Sequence, residues 1–306
     1  MILRQALLSC TEQLEQSGAD AVDAPRLSAE LLLAEALGLD RNALLKRLFL
    51  EPENPLPETA LREFAKLAAR RAAGEPAAYI LGRKEFYGRE FTVTPDTLIP
   101  RPETELLIDL ALDYARSLNT GTTPVFADFG TGTGCIAVTL TLELPGWRGL
   151  AVEKSPAALR VAKANALRLC TKKDTEKLCF TLADFRLPPV PPASLDLLIS
   201  NPPYVSEAEY QTISRDVRAF EPKSALVPCL SPCFGSTDSS ADSSGLEDAE
   251  ALIDLARVLL KPGGLLLMEI GHTQGPALLP RLQGWTGVRL HKDLAGLNRV
   301  ISGINY

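Results

Sequence analysis

"PVFADFGTGTGCIAVTLTLEL", residues 124–144, runs from a short apolar strand through three closely spaced glycines into an apolar helix. Gly130, Gly132 and Gly134 let the backbone turn tightly and let a ligand approach without Cβ interference, as a nucleotide-type cofactor site requires. Glycine-rich turns that bind nothing also occur, so the flanking sequence has to carry the reading.

Downstream come the strand "GLAVEKS", the helix "PAALRVAKANALRLC", and the strands "KLCFTLADF" and "LDLLISN". Then follow the helix "LEDAEALIDLARVLLKPGG", ending in glycines, the strand "LLLMEIG", and a closing pair, "GVRLHK" and "RVISGINY". Upstream, "PETELLIDLALDYARSL" reads as a helix. Near-continuous apolar strands alternating with amphipathic helices predict a mostly parallel sheet covered on both faces, a doubly wound α/β fold of seven strands. Residues 1–82 have a different pattern. "ILRQALLSCTEQLEQSG", "PRLSAELLLAEALG", "RNALLKRLFL" and "TALREFAKLAARRAAG" are helix-length segments bounded by Gly18, Gly38 and the cap candidate Asp40, and they predict a small helical bundle. "EFYGREFTVT" predicts a hairpin around Gly88. The expected organisation is a helical domain over 1–82, a hairpin connector over 83–95 and the sheet domain over 96–306. "VPCLSPCFGSTDSSADSSG", residues 227–245, reads as a mobile surface loop.

The net charge of -6 disfavours a long polyphosphate partner, which calls for a basic face. Six cysteines without paired C-x-x-C spacing and only two histidines, His272 and His291, predict reduced structural thiols and no metal. No run reaches the roughly 18 apolar residues of a membrane span, and the N-terminus turns acidic where a signal peptide would stay apolar, so the expected location is the cytoplasm.

Glu153 lies about 20 residues beyond the glycine loop, where an acid can accept both hydroxyls of a ribose. The G-x-G-x-G spacing of residues 130–134, with Thr131 and Thr133 between the glycines, is not the dinucleotide G-x-G-x-x-G, and no Lys-Ser/Thr follows as a phosphate loop requires. Asp128 suits a cofactor carrying an ammonium group, and S-adenosylmethionine has one. Asp184 and Phe185, at the end of the third strand, are candidates to accept from an adenine amine and to pack on its ring.

"NPPY", residues 201–204, ends the fourth strand with a corner that can continue neither helix nor strand, since proline fixes φ and donates no N–H. In a doubly wound sheet the first and fourth strands adjoin at the reversal of strand order, where ligands bind. The corner therefore faces the cofactor. The nitrogen of a planar amide or aromatic amine is a poor nucleophile, so the site must accept hydrogen bonds from its N–H groups. The Asn201 oxygen and the Pro202 carbonyl are acceptors, Pro203 stiffens the corner, and Tyr204 can stack on the planar group.

The glycine loop, Glu153 and "NPPY" resemble the amino-methylating Rossmann-like methyltransferases. With "PRLSAELLLAEALG", "RRAAGEPAAYILGRKEFYG", "TLIPRPETELLI", "DVRAFEPKSAL" and "LMEIGHTQG", the chain resembles release-factor glutamine methyltransferases of the HemK/PrmC family nearly end to end. The sister enzymes acting on a ribosomal-protein glutamine carry "PRSP" where this chain has "PRPE". The resemblance implies a substrate glutamine in the Gly-Gly-Gln loop of a peptide chain release factor, methylated on its amide nitrogen and gripped by both domains. It places residues 130–134, Glu153, Phe185 and Asn201 at the cofactor, residues 201–204 at the glutamine, and Arg101 and Glu103 at the border of the substrate pocket. Glu103 also reads simply as a first-turn carboxylate complementing a helix dipole. Phe129, Glu153 and Phe185 stand where the family usually has Leu, Asp and Trp, and the loop over 227–245 is longer than the family's connection. The alternatives are a ribosomal-protein glutamine methyltransferase, a DNA adenine N6-methyltransferase, for which the chain lacks a basic recognition element, and a non-catalytic module that has kept the fold. A NAD-dependent dehydrogenase would leave "NPPY" unexplained.

Overall fold

The computed structural model describes residues 1–17, 24–118, 121–228 and 243–306, so most of the Ser-rich stretch over 227–245 and the expected helix stop at Gly18 lie outside the described residues. The described residues cluster into two units, one formed by Met1–Arg83 with Ile213–Glu221 and the other by Lys84–Thr212 with Pro222–Tyr306.

The first unit holds α1 (Leu3–Gln16), α2 (Pro25–Ala36), α3 (Arg41–Leu50), α4 (Glu58–Ala72) and the short α5 (Ala77–Leu81). Leu3, Leu7, Leu32, Leu33, Leu44, Phe64 and Leu67 form its core. Asp40 caps α3 by accepting from the Ala43 N–H at 2.7 Å, as its place before the apolar run predicts. Residues 213–221, left in the sheet domain by the sequence reading, cluster with these helices.

The second unit begins with a hairpin, β1 (Arg83–Phe86) and β2 (Arg89–Thr92), turned by Tyr87 and Gly88, both at positive φ. Phe86 and Phe91 meet edge to face at 6.1 Å. Then follow α6 (Glu105–Ser117), β3 (Val125–Phe129), α7 (Cys135–Glu143), β4 (Arg148–Glu153), α8 (Pro156–Leu169), α9 (Lys172–Thr175), β5 (Leu178–Leu182) and β6 (Leu195–Ser200). After the short α10 (Glu207–Tyr210) the chain passes through α11 (Arg215–Phe220), which belongs to the first unit, and returns with α12 (Glu247–Leu259), β7 (Leu260–Glu269), α13 (Gly275–Leu278), β8 (Thr286–Lys292) and β9 (Asn298–Ile304). The sheet order is β5-β4-β3-β6-β7-β9-β8, parallel from β5 to β7 with β9 and β8 antiparallel.

The two-residue period of the strands divides two cores. Phe126, Leu197, Ile199 and Leu267 pack with α6, α7 and the hairpin phenylalanines, whereas Ala127, Leu198, Leu266 and Met268 pack with Ala249, Leu252 and Ile253 of α12. Every residue of β6 is buried, which explains why the run "LDLLIS" shows no polar alternation.

One expected boundary moves. The sequence reading carries the helix after residue 246 through "KPGG", but α12 ends at Leu259 and these residues open β7. Pro262 has no N–H for a helix, and Gly263 takes φ +84°. Lys261 Nζ reaches Asp196 of β6 at 2.6 Å, and a Cβ on Gly264 would stand 3.1 Å from the Leu195 carbonyl oxygen. The run follows β6 closely, with a register shift between Leu195 and Leu197.

Gly149 of β4 marks a second close fit, because a Cβ there would lie 2.4 Å from Phe126 Cζ and 2.8 Å from Leu178 Cδ1. Gly149→Ala is therefore expected to destabilise the protein by about 1–3 kcal/mol through overpacking. Urea denaturation measures this directly, and unchanged stability would mean that Phe126 can turn away.

Candidate active site

The sheet reverses its winding between β3 and β6, and the carboxyl ends of these strands border a cavity. Gly130, Thr131, Gly132, Thr133, Glu153, Phe185, Asn201, Pro203 and Arg101 all line it. Asp128, Gly134, Asp184, Pro202, Tyr204 and Glu103 do not.

Backbone bonds hold the glycine loop across the top of β3 and β4: the Gly130 and Thr131 N–H groups both donate to the Val152 carbonyl, at 2.9 and 3.1 Å. Gly130 (φ +76°) and Gly132 (φ +55°) adopt the left-handed conformation, and no atom lies within 4 Å of where a Gly130 Cβ would be. That open space is the approach a ligand needs. Gly134 serves packing instead, since its Cβ would lie 3.1 Å from that of Ala162 in α8.

Asp128 is fully buried beneath the loop. Its Oδ2 accepts from Thr131 Oγ1 at 2.6 Å and from the Ala137 N–H at 3.2 Å, and its Oδ1 has no partner among the described residues. Burial pushes this carboxyl up to about 7, against the lowering effect of those two bonds. Glu153, 8% exposed, accepts from the Gly132 N–H through Oε2 and from the Ser155 N–H through Oε1, both at 2.9 Å. A carboxylate oxygen accepts more than one bond, so Glu153 keeps capacity for a ligand hydroxyl. Phe185 stacks on Phe129 with ring centroids 6.3 Å apart. Asp184 turns back to the Arg186 N–H at 2.9 Å and to its guanidinium at 3.6 Å. An open glycine backbone, a strand-end carboxylate and a buried aromatic wall fit an adenosine-containing group.

Asn201 reaches the cavity from β6. Its Nδ2 donates to Thr104 Oγ1 at 3.2 Å, which leaves the side-chain oxygen as the acceptor offered to a ligand. Thr104 in turn donates to Glu269 Oε2 at 2.7 Å, and the Tyr204 phenol donates to Glu269 Oε1 at 3.4 Å. Burial raises the Tyr204 phenol pKa well above its ordinary value. Gln274 Nε2 clamps the corner by donating to the Tyr204 carbonyl at 2.9 Å and the Gly245 carbonyl at 3.1 Å. Asn165, fully buried in α8, holds the other side. Its Oδ1 accepts from the Thr92 N–H at 2.8 Å, while its Nδ2 donates to the carbonyls of Thr92 and Thr133, both at 2.9 Å.

Sequence reasoning missed Thr104, Glu269, Gln274 and Asn165 as partners of the site. Glu269 left a signal in "LLLMEIG", because an acid inside a strand buried on both faces needs a polar partner. Thr104 lies inside "PRPETE" but has no distinguishing neighbour in sequence. Among the described residues, no three His, Cys, Asp or Glu side chains gather as a metal site, and no helix is long and apolar enough to cross a membrane.

The PrmC N-terminal domain matches residues 5–82, and the methyltransferase small domain matches residues 110–219. The catalytic domain of human METTL16, solved with the MAT2A 3′UTR hairpin 1, shares the fold, with a TM-score of 0.50 and 21% identity over 78% of this chain and 81% of that one. Fold and domain match define a Rossmann-like methyltransferase. The release factor glutamine methyltransferase of Nitratidesulfovibrio vulgaris is 48% identical over 284 residues, spanning 92% of this chain and 88% of its own. That of Koribacter versatilis is 40% identical over 304 residues, 99% and 98% of the two chains. The chain belongs to the release factor glutamine methyltransferase family.

Proposed function

We propose that this protein transfers a methyl group from S-adenosylmethionine to the side-chain amide nitrogen, N5, of the glutamine in the Gly-Gly-Gln motif of peptide chain release factors. The observation that carries the reading is Asn201 at the switch point, its NH₂ committed to Thr104 and its oxygen free to accept from an incoming amide. When bound, S-adenosylmethionine supplies an electrophilic methyl on a sulfonium sulfur. Gly130 gives it an open backbone within the loop over 130–134, Glu153 accepts its ribose hydroxyls, Phe185 packs on its adenine with Asp184 nearby, and Asp128 holds the loop from beneath through Thr131 and the Ala137 N–H.

Asn201 Oδ1 and the Pro202 carbonyl orient the glutamine by accepting from its N–H groups, Pro203 and Tyr204 keep that corner rigid, and Arg101 and Glu103 border the entry. Orientation rather than strong base catalysis is what a delocalised amide nitrogen requires. The domain assignment follows: residues 1–82 recognise the release factor, 83–95 connect, and 96–306 carry the chemistry, with the enzyme working in the cytoplasm, where termination occurs.

Purified release factor incubated with this protein and S-adenosylmethionine is expected to gain about 14 Da on the Gly-Gly-Gln peptide, mapped by mass spectrometry. A methyl on a ribosomal protein, or on adenine in DNA, with the release factor unmodified would replace this reading with one of those two.

A further inference from the structure

We propose that Glu269 is a positioning residue that acts through the Thr104 hydroxyl to fix which end of the Asn201 amide faces the cavity. The inference rests on the reading of Asn201 as the acceptor for the substrate amide.

A carboxylate has no proton to donate, so the single hydroxyl proton of Thr104 is committed to Glu269 Oε2 at 2.7 Å. Thr104 Oγ1 is left with lone pairs only, and it accepts from Asn201 Nδ2 at 3.2 Å. The Asn201 oxygen is thereby presented to the cavity. If the Thr104 proton pointed the other way, toward Asn201, the amide would turn its NH₂ outward, as a donor facing a substrate group that must itself donate. Nothing in Asn201 alone selects between these states, because its two ends are nearly the same size. Burial makes the selection effective: Glu269 is 1% and Thr104 2% exposed, so water does not scramble the chain. The same carboxylate accepts from Tyr204, three residues beyond Asn201, and so touches both the turn over 102–104 and the corner over 201–204.

The groups facing Glu269 are Thr104 and Glu103 from the turn, Tyr204 from the corner and Arg299 from β9. Burial pushes its carboxyl up to about 7, against lowering by Thr104, Arg299 and Tyr204. Once protonated, Glu269 can donate as well as accept, and the chain loses its fixed sense. Turnover should therefore fall on the acid side of about pH 7, and Glu269→Gln should flatten that limb.

The test uses the full chain with purified release factor. Glu269→Gln and Thr104→Val are each expected to lower kcat about tenfold, the scale of one hydrogen bond, with the affinity for S-adenosylhomocysteine unchanged by calorimetry. Thr104→Ser should stay near wild type. The double variant should be no slower than the worse single, because both break one chain. Full turnover in Glu269→Gln, multiplied losses in the double variant, or a Thr104→Ser as slow as Thr104→Val would overturn the proposal. Neutron diffraction of the wild type reads the chain without turnover. It should place the Thr104 hydroxyl deuterium toward Glu269 and the Asn201 ND₂ toward Thr104, and the reverse sense would refute the inference whatever the substrate. A wild type inactive on the release factor would instead count against the proposed function, with the neutron map still deciding this point.

Discussion

Asn201→Ala is expected to lower turnover at least about a hundredfold while leaving cofactor affinity close to wild type. The expected loss is that of one preorganised electrostatic contact at the reacting centre, which costs about a hundred- to a thousandfold elsewhere. Asn201 follows a wholly buried strand and is held by Thr104, so removing its amide takes away the acceptor without disturbing β6. Glu153 and the glycine loop lie on β4 and β3, two and one strands along, and keep their own bonds. Single-turnover kinetics with release factor, beside calorimetry with S-adenosylhomocysteine, separates the two effects. Near-normal turnover would falsify the role given to Asn201.

Glu153→Ala should act in the opposite way, weakening S-adenosylmethionine binding by about thirtyfold or more, or about 2 kcal/mol, the scale of hydrogen bonds to a charged group. Two losses combine. The ribose hydroxyls lose their acceptor, and the N–H groups of Gly132 and Ser155 lose theirs, which frees the loop that must hold still around the ligand. Glu153→Asp shortens the reach but keeps the charge, and should recover part of the affinity. Calorimetry decides, and unchanged affinity in the alanine variant removes Glu153 from the cofactor site.

Much of the architecture was legible because its physics is local. Strands buried on both faces read as unbroken apolar runs, and glycines with positive φ announce the turn after β3. The adjacency of β3 and β6, which makes the "NPPY" corner a site rather than a turn, follows from the topology of doubly wound sheets and is present. Other features were not local. "KPGG" reads as a helix end in one dimension, and only the approach of Asp196 and Leu195 draws it into β7. Asp128 stands beside the glycines in sequence, but the fold turns its carboxylate under the loop, toward Thr131 and Ala137. Thr104 and Glu269 are 165 residues apart, and no pattern in either segment reveals the bond between them.

The Asn165 carboxamide has a consequence for assembly as well as for the loop. Toward Thr92 it does what a neighbouring backbone would do, taking the N–H with its oxygen and giving a hydrogen to the carbonyl. One side chain thus stands in for the next strand at the end of β2, so neither group of Thr92 is left open to a foreign chain. Sheet edges with free groups invite edge-to-edge aggregation. Here a helix residue closes the edge from inside the molecule, and its remaining hydrogen secures the Thr133 carbonyl of the cofactor loop.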